Sequence, residues 1–259
     1  MEKRTLLLLL VPLTVLAMLC AGMALGLRSV LEGGKPMEDG RTFANDSIER
    51  VVDGYTSAFI LDNGDGVVLV DSGLDAAATR IMAALERRGR SATDVQAIVF
   101  THGHGDHIGG ALAFPDAELY ALEADADLVE GSRVAGNLIG RVREPGPTGL
   151  TITRTLQDGE ILRLGELEIE VIAVPGHSLG SAALLTRGVL FVGDAAAATS
   201  VEQLAGPPPV FSADRDAGTA SLRALAATIA PRAADVEWVV PSHQGALEGT
   251  EALLAWIPE

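Results

Sequence analysis

The chain is short of cysteine, of basic residues and of histidine, and each shortage excludes something. Its single cysteine, Cys20, lies inside an apolar N-terminal run, so the rest of the chain can form no internal disulfide. Lys and Arg total 19 against 35 Asp and Glu, a formal net charge of -16. Nucleic acid demands basic surface to neutralise phosphates, and anionic lipid demands a polybasic stretch; this balance weighs against both. No nucleic-acid partner is expected, and the acidic surface favours solubility. No short-period repeat or low-complexity tract is present. At 259 residues the chain is long enough for one large α/β domain with a sizeable core.

Residues 5–27 carry no charge and are rich in leucine, with Lys3 and Arg4 before them and Arg28 after. Their length matches the roughly 20 residues of a bilayer span and exceeds the about 7–15 residues of a signal-peptide apolar core. They are read as an uncleaved membrane anchor. A cleaved signal, with Ala24-Leu25-Gly26 near the cut, is the alternative. A lipoprotein role for Cys20 is disfavoured by the bulky Met18 and Leu19. Either reading exports the domain, leaving it tethered outside the cytoplasm or secreted. Residues 28–47 read as a linker and 48–259 as the folded domain.

Within that domain, strands are expected at Ile48–Val52, Ser57–Leu61, Val67–Val70 and Val95–Phe100. In the second half they are expected at Leu162–Leu164, Glu166–Ala173, Ala182–Thr186, Val189–Val192 and Val236–Val240. Helical spacing marks Asp75–Arg88, Thr219–Ile229 and Leu247–Trp256, and Ile108–Ala113 reads as the start of a short helix. Two β-rich halves with helices between them fit an α/β fold of the αββα sandwich type. Two stretches resist regular assignment. One is 131–149, with Arg133, Arg141, Arg143 and two prolines; the other is 195–218, with Pro207-Pro208-Pro209 and Phe211. Long irregular loops in compact domains are usually functional. Both are read as overhanging a site, with Arg141 and Arg143 as contacts for a substrate carboxylate and Phe211 as a further substrate contact.

The scarce histidines are concentrated. Of five, three stand in His102-Gly103-His104-Gly105-Asp106-His107, directly after the apolar run Ala97-Ile98-Val99-Phe100. His177 and His243 also follow apolar runs in short segments flanked by glycine or proline. Imidazole suits Zn²⁺ and neighbouring first-row metals, and carboxylate can complete the sphere. His102 and His104, two apart, can point the same way in an extended loop, and Gly103 and Gly105 permit a turn that sends Asp106 and His107 elsewhere. Six residues cannot close two metal spheres, so remote ligands are needed; the chain offers His177, Asp194 and His243.

This pattern resembles the metallo-β-lactamase superfamily. Val68-Leu69-Val70-Asp71-Ser72-Gly73 is similar to the family's early strand ending in Asp-x-Gly, and Thr101–His107 to its T-H-x-H-x-D-H signature. Pro175-Gly176-His177-Ser178, Phe191-Val192-Gly193-Asp194 and Val239-Val240-Pro241-Ser242-His243 resemble its later ligand segments, with Ser242 where glycine is usual. The likeness runs from about residue 48 onward. It implies a four-layer αββα sandwich and two zinc ions, with iron or manganese as alternatives. His102, His104 and His177 would hold one ion, Asp106, His107 and His243 the other, and Asp194 would bridge them. Asp71 would orient a ligand histidine rather than bind metal, and Asp106 would also accept a proton during turnover.

The implied reaction is metal-assisted hydrolysis of an ester-like bond in a small molecule. The common β-lactamase subclasses carry a cysteine ligand where this chain has Asp194, which argues against efficient penicillin hydrolysis. The ligand set resembles the glyoxalase II-like branch, which cleaves thioesters. That branch binds glutathione through a C-terminal helical region for which the short stretch after His243 gives no counterpart, so glutathione specificity is not carried over. Lactonases of the family often place a tyrosine near the carbonyl, and Tyr55 and Tyr120 are the two available. Two alternatives remain: an iron-dependent sulfur dioxygenase using two histidines and an aspartate, and a non-catalytic membrane-tethered metal-binding module.

Overall fold

A computed structural model describes residues 34–137, 140–142 and 144–258. Its first sheet contains seven strands in sequence order: β1 (Thr42–Phe43), β2 (Ile48–Asp53), β3 (Thr56–Asp62), β4 (Val67–Val70), β5 (Val95–Val99), β6 (Glu118–Leu122) and β7 (Arg154–Leu156). The early pairs are antiparallel, and β4 to β7 run parallel. The second half supplies β8 (Ile161–Leu164), β9 (Leu167–Ala173), β10 (Ala182–Thr186) and β11 (Val189–Gly193), followed by a small hairpin of β12 (Ala197–Ala198) and β13 (Leu204–Ala205). With β14 (Trp238–Pro241) and β15 (Leu247–Glu248) the second sheet has the order β15-β14-β11-β10-β9-β8.

Apolar residues are placed in three sheets of contact that define four layers. Phe59, Leu61, Val68, Val70 and Val99 of the first sheet meet Ile169, Val171, Leu184, Phe191 and Val240 of the second. Phe59 and Phe191 face each other with ring centroids 4.7 Å apart, a pairing that adds roughly 0.5–1.5 kcal/mol to its burial. The outer face of the first sheet, with Ile60, Leu69 and Ile98, is covered by Ile81 and Leu85 of helix α1 (Thr79–Arg87) and by Phe114. Helix α2 is the single turn Gly105–Ile108 and helix α3 is Glu123–Glu130. The outer face of the second sheet, with Leu190, Val192 and Val239, is covered by Leu222, Leu225 and Ile229 of helix α4 (Arg215–Ile229) and by Leu253 of helix α5 (Glu251–Leu254). Strands covered on both faces read as unbroken apolar runs, as in Val67–Val70, where all four residues are buried.

Several boundaries differ from those expected. Helix α1 starts at Thr79 because Ala78 takes a left-handed conformation; Asp75 accepts from the Ala77 and Thr79 amides and closes the turn before it. The short helix begins at Gly105, earlier than Ile108, and so contains Asp106 and His107. Helix α4 begins at Arg215, with Asp214 accepting from the Ala217 amide as its cap. Thus 195–218 is not wholly irregular: it holds the β12–β13 hairpin and the first turn of α4. Leu247–Trp256 is not one helix; Leu247 pairs with Val239 before the chain turns into α5. The segment expected as linker is already packed from Gly34, which bridges Thr199, and Phe43 enters the core. Among the described residues no helix is long and apolar enough to cross a membrane. The anchor or signal expected at 5–27 lies outside those residues.

Candidate metal centre and its cavity

Each chemistry-bearing side chain follows a strand. The loop after β5 carries His102 and His104 and runs into α2, which carries Asp106 and His107. His177 follows β9, Asp194 follows β11 directly, and His243 follows β14. Strands buried between layers fix where these loops start, and the loops meet along one edge of the sandwich. Buried Arg50 of β2 adds a tie between sheets: its Nη2 donates to the Pro241 carbonyl (3.1 Å), two residues before His243, and its guanidinium lies 5.3 Å from the Phe59 ring centroid. Burial lowers its pKa to about 10, with Arg41 adding to the effect.

The seven side chains expected at the site come together. Three groups, His102–His104–His177, His102–His107–Asp194 and Asp106–His107–His243, each have donor atoms within 4.8 Å of one another. The rings of His102, His104 and His177 form a near-equilateral triangle, with centroids 4.6–4.7 Å apart. Asp194 stands between the ends: its Oδ2 is 3.4 Å from His177 Nε2 and 3.0 Å from His243 Nε2, and its Oδ1 is 3.5 Å from His107 Nε2. Asp106 Oδ2 is 3.5 Å from His243 Nε2.

These residues fit a metal. Buried His102 Nε2, His107 Nε2 and Asp194 Oδ1 have no hydrogen-bond partner among the described residues. Unpaired buried polar atoms are costly and rare in folded proteins. Three of them converging on neighbouring imidazole and carboxylate groups is the arrangement a cation relieves. The nitrogen and oxygen donor set suits zinc and other first-row divalent ions.

The electrostatics divide the cluster. Burial holds His102 well below the usual imidazole range and His177 at about 3, with neighbouring rings adding to the effect, and it also lowers His104. A lowered pKa favours the neutral ring, in which one nitrogen keeps its proton and the other is open to a metal. Burial also opposes charge on His107, but Asp71, Asp194 and Asp106 outweigh it and push its pKa up to about 10. At His243 burial is likewise outweighed, chiefly by Asp194, and the pKa rises. Asp194 stays ionised because His243, His107 and His177 outweigh its own desolvation.

Supporting groups fix the rings. Asp71 is fully buried; its Oδ2 lies 2.8 Å from His107 Nδ1, and it accepts from the Thr101 amide and hydroxyl, both at 2.8 Å. His243 Nδ1 lies 2.6 Å from the Tyr55 carbonyl, and the Tyr55 ring stacks on His243 with centroids 5.7 Å apart. Thr101 and Ser212 hydroxyls stand beside His102 and His177 at 3.2 and 3.3 Å.

Sequence reasoning missed Asp125. This fully buried carboxylate on α3 accepts from the Gly103 amide through Oδ2 and from the Gly180 amide through Oδ1, each at 2.9 Å. It therefore joins the loop of His102 and His104 to the loop of His177. Both glycines are needed for this approach: a Cβ on Gly103 would meet Leu128 at 2.9 Å, and one on Gly180 would meet the Asp125 backbone nitrogen at 2.5 Å. A signal was present, since Asp125 shares a helix face with the buried Leu128 and Val129. An acid on an apolar face implies a buried partner.

A cavity of about 640 Å³ opens over the cluster. His104, Asp106, His177, Asp194 and His243 form its base, and its walls come from the two loops expected to overhang the site, with Leu128, Arg133, Val134, Pro208 and Phe211. Phe211 thus lines the cavity. Arg141 is placed by its backbone in the turn Gly140–Val142, and Arg143 lies outside the described residues. Tyr55 lines the cavity, whereas Tyr120 is buried in β6 with its hydroxyl donating to Glu118.

Comparison with known proteins bears on this geometry. The profile of the metallo-beta-lactamase superfamily matches residues 51–243. The hydroxyacylglutathione hydrolase of Idiomarina loihiensis is 31% identical over 148 residues, 57% of this chain and 49% of that protein. The acyl-coenzyme A thioesterase MBLAC2 of Homo sapiens is 33% identical over 111 residues, 37% of this chain and 39% of that protein. The chain therefore spans about half or less of the length of these curated relatives. Among solved structures, the subclass B3 metallo-beta-lactamase BJP-1 of Bradyrhizobium japonicum superposes with a TM-score of 0.62 at 21% identity, covering 83% of this chain and 81% of that one. MIM-1 of Novosphingobium pentaromativorans gives 0.63 at 22% identity, covering 86% and 87%. At those identities the likeness is one of fold.

Proposed function

Since the chain belongs to the metallo-beta-lactamase superfamily, we propose that it is a dinuclear zinc hydrolase that cleaves thioesters of small molecules. The observation that carries this reading is the convergence of seven imidazole and carboxylate side chains, five of them at the base of one cavity, with three buried donor atoms lacking partners among the described residues. The relatives named hydroxyacylglutathione hydrolase and acyl-coenzyme A thioesterase support the choice of bond.

His102, His104 and His177 would hold one ion, Asp106, His107 and His243 the other, with Asp194 shared. When bound, the pair supplies Lewis acidity toward the carbonyl and a water of lowered pKa. The protein's own residues do the rest. Asp71 takes the Nδ1 proton of His107 in a hydrogen bond and so presents Nε2 to the cavity side. Asp106 is the proposed proton acceptor, with Oδ1 free of the contact that Oδ2 makes toward His243. The apolar walls, including Leu128, Val134 and Phe211, exclude water from the bound substrate and strengthen polar contacts at the base.

Lactone opening is the second reading, and Tyr55 favours it. Burial, with Asp106 and Asp194 nearby, raises the Tyr55 pKa and keeps its hydroxyl protonated, hence able to donate to a carbonyl oxygen. For residues 5–27 the proposal is export and tethering, supported by their uncharged, leucine-rich sequence; recovery of tagged full-length protein in the cytoplasmic fraction would reject it.

Elemental mass spectrometry on the purified protein is the first test. About two zinc ions per chain, together with turnover in a thioester and lactone panel, is the expected result. About one iron per chain with oxygen uptake on a persulfide would replace the hydrolase by a dioxygenase. A metal-loaded protein inert to every substrate would leave the binding-module reading.

A further inference from the structure

The cavity wall holds a cation that the metal centre does not use. Arg133 follows α3 and lines the same cavity as His104, Asp106 and His177. Its backbone is pinned by donation to the Asp127 carbonyl (3.0 Å), and its Nη2 donates to the Ala124 carbonyl and to Asp125 Oδ1 (3.3 Å). A guanidinium carries five N–H donors, and Arg133 Nε and Nη1 have no hydrogen-bond partner among the described residues. The side chain is 28% exposed, so the rest of the group faces accessible space.

Asp125 does not use up this charge. Its two oxygens already accept from the Gly103 and Gly180 amides, so the carboxylate is satisfied by backbone dipoles and meets Arg133 through one nitrogen. The arrangement fixes the guanidinium in place and leaves donors over. The other fixed charges lining the cavity among the described residues are the carboxylates Asp106, Glu144 and Asp194. Around them the wall is apolar, through Leu128, Val134, Ala135, Pro145 and Phe211. A charge-assisted hydrogen bond gains strength in such surroundings, and a fixed guanidinium on the wall adds, to the charge of any ions held at the base, a directional donor that selects ligands by where they carry an oxyanion.

We propose that Arg133 is an oxyanion-binding, specificity-determining residue that gives this cavity a preference for substrates carrying a carboxylate. The choice of thioesters as those substrates rests on the function proposed above; the oxyanion site itself does not.

The test compares three thioesters on the metal-loaded protein: neutral S-acetyl-N-acetylcysteamine, S-acetyl-3-mercaptopropionate with a carboxylate on the thiol side, and S-succinyl-N-acetylcysteamine with one on the acyl side. The wild type is expected to favour one of the carboxylate substrates through a lower KM. Arg133→Gln is expected to reduce the ratio of kcat/KM for that substrate to kcat/KM for the neutral one by about tenfold or more, the scale of a lost hydrogen bond to a charged group. Arg133→Lys, which keeps the charge, is expected to fall between them and decides the matter if Arg133→Gln does not fold. An unchanged ratio would overturn the proposal. So would an absence of preference in the wild type, or a ratio lost on Arg141→Gln or Arg143→Gln and kept on Arg133→Gln. Calorimetric titration with the corresponding non-hydrolysable thioethers separates this from the activity reading. Arg133-dependent binding of a carboxylate thioether in a protein that cleaves no thioester would keep the oxyanion site and reject the thioesterase. Thioester cleavage with no Arg133-dependent discrimination would do the reverse.

Discussion

The two ends of the candidate metal centre are both built on imidazoles and support them differently. Behind His102 and His177 stand the neutral hydroxyls of Thr101 and Ser212, and burial outweighs the nearby Asp194 and favours the neutral form of these rings and of His104. Around His107 and His243 stand Asp71, Asp106 and Asp194, which raise both rings above their usual pKa. A carboxylate behind a histidine makes it a more basic ligand and fixes its tautomer. A ring kept neutral by burial is less basic but has no second proton to displace before it binds. One end therefore depends on charge and the other on shape, and the shape is set at second hand, by Asp125 drawing two loops together.

The largest expected effect is common to both ends. Chelation should remove the metal from each, abolish turnover and lower the melting temperature, since ligands brought together from separate loops repel or lie unpaired without a cation. Elemental analysis with thermal unfolding before and after readdition of zinc checks this; full activity in metal-free protein would refute the centre. The next expected effects break one end at a time. Asp125→Ala strands the Gly103 and Gly180 amides at a cost of about 1–3 kcal/mol each. It should lower stability and release the metal of the His102–His104–His177 end, read as metal content falling by about one ion per chain. Asp71→Asn should touch that end only indirectly, through Thr101, and weaken the other more: metal affinity is expected to fall about 10–100-fold at the Asp106–His107–His243 group, measured by competition with a chromophoric chelator. Equal loss at both ends in both variants would erase the distinction. The smallest effect is expected at Tyr55→Phe. His243 is met by the Tyr55 carbonyl and ring face, not the hydroxyl, so metal content should hold and stability should stay within about 0.5 kcal/mol. A fall in kcat for lactones alone would then isolate the hydroxyl.

The ligand-type residues were legible because each follows an apolar strand, and strand termini are what a buried sheet positions best. The four-layer arrangement was legible for the same reason, through the alternation of strand and helix patterns. Asp125 was hidden because its meaning lies in the approach of α3 to Gly103 and Gly180, which are remote in sequence from each other. The stretch around it was hidden as well. Glu118–Glu130 contains neither glycine nor proline, so β6 runs into α3 with no punctuation between strand and helix. At the other extreme, Leu247–Glu248 is too short for an alternating pattern to show, and its leucine was absorbed into the periodicity of α5. The start of α2 at Gly105 was obscured by the glycines that flank the histidines.

The spacing of the remote residues has a consequence for how such a chain can diversify. His177, Asp194 and His243 are each held by the strand immediately before them, β9, β11 and β14. The long excursions around 131–149 and 195–214 leave and return without carrying any of the seven. Insertions, deletions and substitutions can accumulate in those excursions while the chemistry stays in place. The same scaffold can therefore exchange one clientele of substrates for another by redrawing its cavity walls, with Arg133 and Phe211 as the first residues to be traded.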